Sequence, residues 1–113
     1  MRTILQVGNN STLATIRASV LRLTGATVVA ASGDEAMNLL RHEHFDLVVF
    51  CHTISLEERE KISREARMLH MAVRVLNIVR SSALEGLAPD EVAAADPARL
   101  VAKVTETLQN FHS

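Results

Sequence analysis

Five short apolar runs recur along the chain, separated by longer stretches in which apolar residues return every three or four positions. The runs are Thr3-Ile4-Leu5-Gln6-Val7, Thr27-Val28-Val29-Ala30-Ala31, Asp46-Leu47-Val48-Val49-Phe50-Cys51-His52, Val73-Arg74-Val75-Leu76-Asn77-Ile78-Val79 and the weaker Glu91-Val92-Ala93-Ala94-Ala95. Runs without strict alternation read as strands covered on both faces, which is what a parallel sheet requires. The intervening segments read as helices. Leu13, Ile16, Val20 and Leu23 form the predicted inward face of the first helix, which stops at Gly25. Ser32 and Glu35 make a capping box for the second, with Ala36, Leu39 and Leu40 facing inward before a turn over His42 to Phe45. Ser55 and Glu58 repeat the device for a third helix through Glu57 to His70, with Ile62, Ala66 and Leu69 as its buried stripe. Asp96 caps a last helix with Pro97 in its first turn, and Val101, Val104, Leu108 and Phe111 give its apolar face. The connection from Arg80 to Asp90 holds Gly86 and Pro89 and has room for a short helix at most. Strand and helix alternate to the end, so the expectation is one three-layer α/β domain over residues 1–113, ordered except near Asn110 to Ser113.

Composition narrows the function classes. The chain has 113 residues, 12 basic and 13 acidic, for a net charge of -1. That size buries a real core without disulfides or metal. The near balance of charge gives no footprint for nucleic acid or an anionic membrane, so neither is an expected partner. Three phenylalanines and no tryptophan or tyrosine supply no base-stacking platform. A single cysteine excludes an internal disulfide, and the apolar runs are too short to span a bilayer or act as a signal peptide. A cytoplasmic protein is expected. Glu57, Glu58, Arg59, Glu60, Lys61, Arg64, Glu65 and Arg67 read as the solvated face of the third helix. Arg74 is expected at the exposed N-terminal end of its strand. His42 and His44 fall in a turn and His70 at a helix end, a spacing with no metal signature, so no metal or other cofactor is expected.

Right-handed crossovers put the ligand crevice of such a sheet at the C-terminal ends of its strands, flanked by the first and third strands for a 2-1-3-4-5 order. The residues there are Gly8, Asn9 and Asn10, then Cys51, His52 and Thr53, and Asn77, a polar set without a carboxylate. Gly8-Asn9-Asn10-Ser11 opens a helix, so Ser11 together with Arg80 across the crevice is a candidate anion contact, against the plainer reading that Asn10 or Ser11 caps the helix. Cys51 reads as a small buried thiol, with a redox sensor beside His52 as the sharper alternative.

Ile4 to Asn10, Ala31-Ser32-Gly33-Asp34-Glu35-Ala36, Phe45 to Cys51 and Asp96-Pro97 together resemble a response-regulator receiver domain, over nearly the whole chain. The resemblance implies a flavodoxin-like, five-stranded parallel sheet in order 2-1-3-4-5, with the fourth helix short or missing here. It also implies two acidic residues after the first strand that hold Mg2+, a phosphoryl-accepting aspartate ending the third, a hydroxyl residue on the fourth and a lysine on the fifth. Those positions fall on Asn9 and Asn10, Cys51, Asn77 and Ala93, so all five are replaced. Neutral amides attract Mg2+ poorly, and phosphoryl transfer needs cations to neutralise the moving charge. The expectation is a non-catalytic, stand-alone signalling module of two-component type that works by protein contact, independent of aspartyl phosphorylation. Its expected partner is a signalling protein, with a second copy as a further candidate. The alternatives are a small anionic ligand or nucleotide at the crevice, and thiol sensing through Cys51.

Overall fold

The computed structural model describes residues 2–70, 72–80, 90–94 and 96–109. The strands are β1 Thr3–Val7, β2 Thr27–Ala31, β3 Leu47–Phe50, β4 Arg74–Val79 and β5 Glu91–Ala93. They form one parallel sheet in the order β2-β1-β3-β4-β5. Four helices are present: α1 Ser11–Arg22, α2 Gly33–His42, α3 Leu56–Leu69 and α4 Pro97–Gln109. This is the flavodoxin-like order that the sequence predicts. The connection expected to carry a short or missing helix falls on 81–89, outside the described residues, as does Phe111. None of the helices, among the described residues, is long and apolar enough to cross a membrane.

Successive strand residues point to opposite faces, and the core divides accordingly. Ile4, Leu47, Val49, Cys51, Leu76, Ile78 and Val92 pack under α1 and α4, through Ala18, Leu21, Leu100, Val104 and Leu108. Leu5, Val7, Val48 and Phe50 pack under α2 and α3, through Ala36, Leu40, Ile62 and Ala66. Three layers follow from that division.

The helix boundaries obey local chemistry. Ser32 accepts from the Glu35 backbone N–H while the Glu35 carboxylate accepts from the Ser32 N–H, closing the capping box. Those two bonds from Ser32 hold the Glu35 carboxyl below its usual value. Ser55 Oγ accepts from Glu58 N and Asp96 Oδ1 from Arg99 N, as expected of caps. Gly25 ends the α1 turn at φ 86°, a conformation open to glycine at little cost.

Three helix faces differ from the pattern. On α1 the buried residues are Ala14, Arg17, Ala18 and Leu21, whereas Ile16 is 55% and Leu23 76% exposed. The helix lies on the sheet through its alanines, which let the backbones approach and turn the bulkier stripe outward. On α3, Ser63 replaces Leu69 in the buried stripe and Leu69 is half-exposed. On α4, Leu100 replaces Val101 beside Val104 and Leu108. Arg74 is exposed at the start of β4, as expected.

The rotated α1 face makes Leu21→Ala a cavity mutation expected to cost about 2–5 kcal/mol. Leu23→Ala removes an exposed side chain and should stay within about 0.5 kcal/mol of the parent. Urea denaturation of the two variants checks the assignment, because the reverse ranking would return Leu23 to the core.

Candidate functional site

The C-terminal strand ends gather residues from β1, β3, β4 and the loop into α3. Asn9 follows β1 and is held on three sides. Its backbone N–H donates to Thr53 Oγ1 at 3.1 Å, its Oδ1 accepts from Gly33 N at 3.1 Å, and its Nδ2 reaches Glu58 Oε1 at 3.5 Å. The crevice therefore does contain a carboxylate, contrary to the sequence reading: Glu58 turns away from its own cap and crosses to Asn9. A Cβ at Gly33 would collide with that carboxylate, so the close approach requires glycine there. Asn10 lies just outside, where its Oδ1 accepts from Leu13 N at 3.0 Å and caps α1. This is the plainer of the two readings of the segment. Ser11 is exposed at the first position of α1.

Cys51 is buried at 1% exposure. Its Sγ accepts from Gln6 Nε2 at 3.2 Å and lies 3.0 Å from where a Cβ on Gly8 would stand. Gly8 thus seals the thiol, and Gln6 is spent on it from inside β1. His52 does not point away from Cys51's side of the sheet. The chain has left the strand at this point, and the ring turns to Arg17, with Nη2 to Nδ1 at 3.0 Å. A guanidinium only donates, so Nδ1 accepts and the neutral ring carries its proton on Nε2.

Arg59 is the residue that sequence reasoning missed. It sits inside a charge run that reads as solvated, yet its guanidinium lies half-buried across the ends of β3 and β4. Nε donates to Ile54 O at 3.0 Å, Nη2 to Cys51 O at 2.9 Å and to Ile78 O at 3.1 Å, and Nη1 to Asn77 Oδ1 at 3.3 Å. Burial pulls its pKa below the usual arginine value. Asn77 also donates from Nδ2 to Asp90 Oδ2 at 3.3 Å. Helical phase places Arg59 one turn after the Ser55 cap, the only sequence signal that could have set it apart.

Arg17, Arg80 and Arg59 all act on His52, whose pKa is lowered first by burial and then by these three positive charges. The strand-end surface is therefore cationic on this side rather than neutral. Arg80 is exposed and Ala93 is buried at the end of β5. Arg17 is itself buried, and its Nη1 has no hydrogen-bond partner. Among the described residues no group of three or more His, Cys, Asp or Glu side chains is placed to hold a metal ion.

Solved structures share this architecture. A CheY-like response regulator receiver domain protein from Methanospirillum hungatei is 20% identical, with a TM-score of 0.78 over 97% of this chain and 95% of its own. A response regulator receiver protein from Sinorhizobium medicae is 25% identical, with a TM-score of 0.75 over 96% and 94%. A response regulator from Thermotoga maritima is 19% identical, with a TM-score of 0.77 over 96% and 98%. The fold is that of a receiver domain. No protein-family model and no curated protein matches the chain.

Replacing Arg59 by Met leaves three carbonyls and an amide without their cationic donor, and should cost about 2–3 kcal/mol in chemical denaturation. Arg64→Met on the exposed face should change stability by less than about 0.5 kcal/mol. A lowered histidine pKa means the unfolded chain binds a proton before the folded one, so stability falls as pH drops below about 6.5. The neutral variant His52→Gln should flatten that fall between about pH 6.5 and 5 in a pH series of melting curves.

Proposed function

We propose that this chain is a receiver-like signalling module that acts by protein contact and is not switched by aspartyl phosphorylation. The observation that carries the reading is the internal satisfaction of the crevice. Asn9, at the position where the resemblance puts an acidic metal ligand, is cross-linked to Thr53, Gly33 and Glu58. Cys51, at the phosphoryl-acceptor position, is a thiol sealed beneath Gly8. Arg59 spends its donors on peptide oxygens and on Asn77, so its charge is already committed. Positive charge around His52 repels a divalent cation, and Mg2+ asks for anionic oxygen ligands in number. Without metal and acceptor there is no phosphoryl chemistry, and a surface recognised by another signalling protein is what remains for the fold to offer. The module is non-catalytic, and thiol sensing is disfavoured by the burial of Sγ.

Addition of Mg2+ with beryllofluoride or acetyl phosphate should leave the amide resonances of Asn9, Cys51 and Asn77 unmoved. A tight, Mg2+-dependent shift at those residues would overturn the reading.

A second reading, a small anion at the strand ends, is favoured by one specific observation: the unpartnered Nη1 of buried Arg17. The adjoining cavity, lined by Leu13, Ile16, Arg17, Ile78 and Ala93 among others, holds about 180 Å3. That is below the range of about 300–1,000 Å3 typical of small-molecule sites, so a nucleotide does not fit and a small oxyanion does. Thermal-shift titration with phosphate and short carboxylates tests it. A saturable rise lost in Arg17→Gln is expected on this reading, and no rise with any of them removes it.

A further inference from the structure

At the opposite end of the sheet, before β3 and β4 begin, the fold brings together two histidines that stand 26 positions apart in sequence. His44 Nδ1 and His70 Nδ1 are 3.4 Å apart, with the rings nearly perpendicular at 83°. The other nitrogen of each ring is engaged. His44 Nε2 lies 3.3 Å from Asp46 Oδ1, and His70 Nε2 lies 3.1 Å from Leu40 O. A carboxylate and a carbonyl only accept, so in both rings the proton sits on Nε2 and the lone pair is on Nδ1. Two lone pairs therefore meet face to face, an arrangement that needs a cation between them.

A shared proton is one such cation, but 3.4 Å is long for a hydrogen bond between nitrogens, which favours separations near 3 Å. Two metal–nitrogen bonds of about 2.0–2.1 Å at the tetrahedral angle set their nitrogens about 3.3–3.4 Å apart. A square-planar ion would bring adjacent nitrogens to about 2.9 Å from bonds of the same length. Holding the second N–H on a carboxylate or backbone carbonyl is also how proteins orient metal-binding histidines. Asp46 is itself fixed, because its Oδ2 accepts from Thr3 N at 2.8 Å and Arg2 Nη1 lies 3.8 Å from its Oδ1.

We propose that His44 and His70 bind a tetrahedral divalent transition ion, zinc by its geometry, through their Nδ1 atoms, with Asp46 and the Leu40 carbonyl as positioning groups. Among the described residues no third His, Cys, Asp or Glu joins the pair, so water or an added ligand completes the shell. The site ties the end of α3 to the loop entering β3. It is independent of the crevice reading, since it lies at the other end of the strands and shares no residue with it.

The test is Zn2+ titration of the full, chelator-treated chain by calorimetry, with imidazole nitrogen NMR as a second readout. One ion per chain is expected, with metal-induced shifts at Nδ1 of both rings. His44→Ala and His70→Ala should each weaken binding by more than tenfold, with unchanged circular dichroism. Asp46→Asn should weaken it about 10- to 100-fold, as outer-shell changes do. His42→Ala should have no effect, because that ring is turned to Asn38 O of its own helix at 2.8 Å. Binding that survives both single substitutions, or Nδ1 signals that report only a shared proton and ignore zinc, overturns the proposal. Failure here leaves the phosphorylation result above untouched.

Discussion

One guanidinium closes the C-terminal edge of the sheet. Where parallel strands end, their last carbonyls lose ladder partners, and a buried acceptor without a donor is costly. Arg59 reaches from the first turn of α3 and satisfies Ile54, Cys51 and Ile78 at once, with Asn77 on the remaining branch. A planar fork with five donors suits that task in a way that a lysine ammonium does not. The consequence reaches beyond stability. A cation engaged by four oxygens in this way is not available to neutralise a phosphoryl group, so the same contact that completes the sheet removes a component that the chemistry of the crevice would need.

Asn9 makes the complementary contribution on the β1 side. Its side chain and backbone join the β1 loop to Thr53 and to the start of α2, and Glu58 approaches the same amide. Between the two clamps Cys51 is packed as core rather than displayed as a reactive group. The crevice keeps the place that receiver domains give to a site, while its polar groups are spent on one another. Fold and function separate at this point, because the chemistry lives in side chains that the scaffold tolerates losing.

The scaffold was readable in the chain because strand runs and caps are local signals. Ser32 with Glu35, Asp96 with Pro97, and Gly25 act on their immediate neighbours, and their roles in the structure are those the sequence implies. The helix faces were less readable. On α1 the sequence offers two stripes at helical spacing, one of large aliphatic residues and one of Ala14, Arg17, Ala18 and Leu21. Hydrophobicity favours the first, but packing distance against the sheet selects the second. Arg17 is carried inward with that face, where its aliphatic stem packs and its head meets His52. In the run from Glu57 to Arg67 every second residue is charged or nearly so, and nothing in composition distinguishes Arg59, the member that turns under the sheet edge, from those in water.

The amino-acid sequence by itself determined the number of strands, their parallel arrangement and the order in which helices cover them, because apolar periodicity and capping act over a few residues. It also determined that the crevice has lost its acidic pair, its acceptor and its lysine, since those are matters of residue identity. Only the tertiary structure decided what fills the space instead. The convergence of Arg59 with Asn77, of Glu58 with Asn9, of Arg17 with His52 and of His44 with His70 joins residues 18 to 49 positions apart. Such contacts depend on how helices rotate and settle on the sheet, a property of the whole packed core that no local pattern encodes.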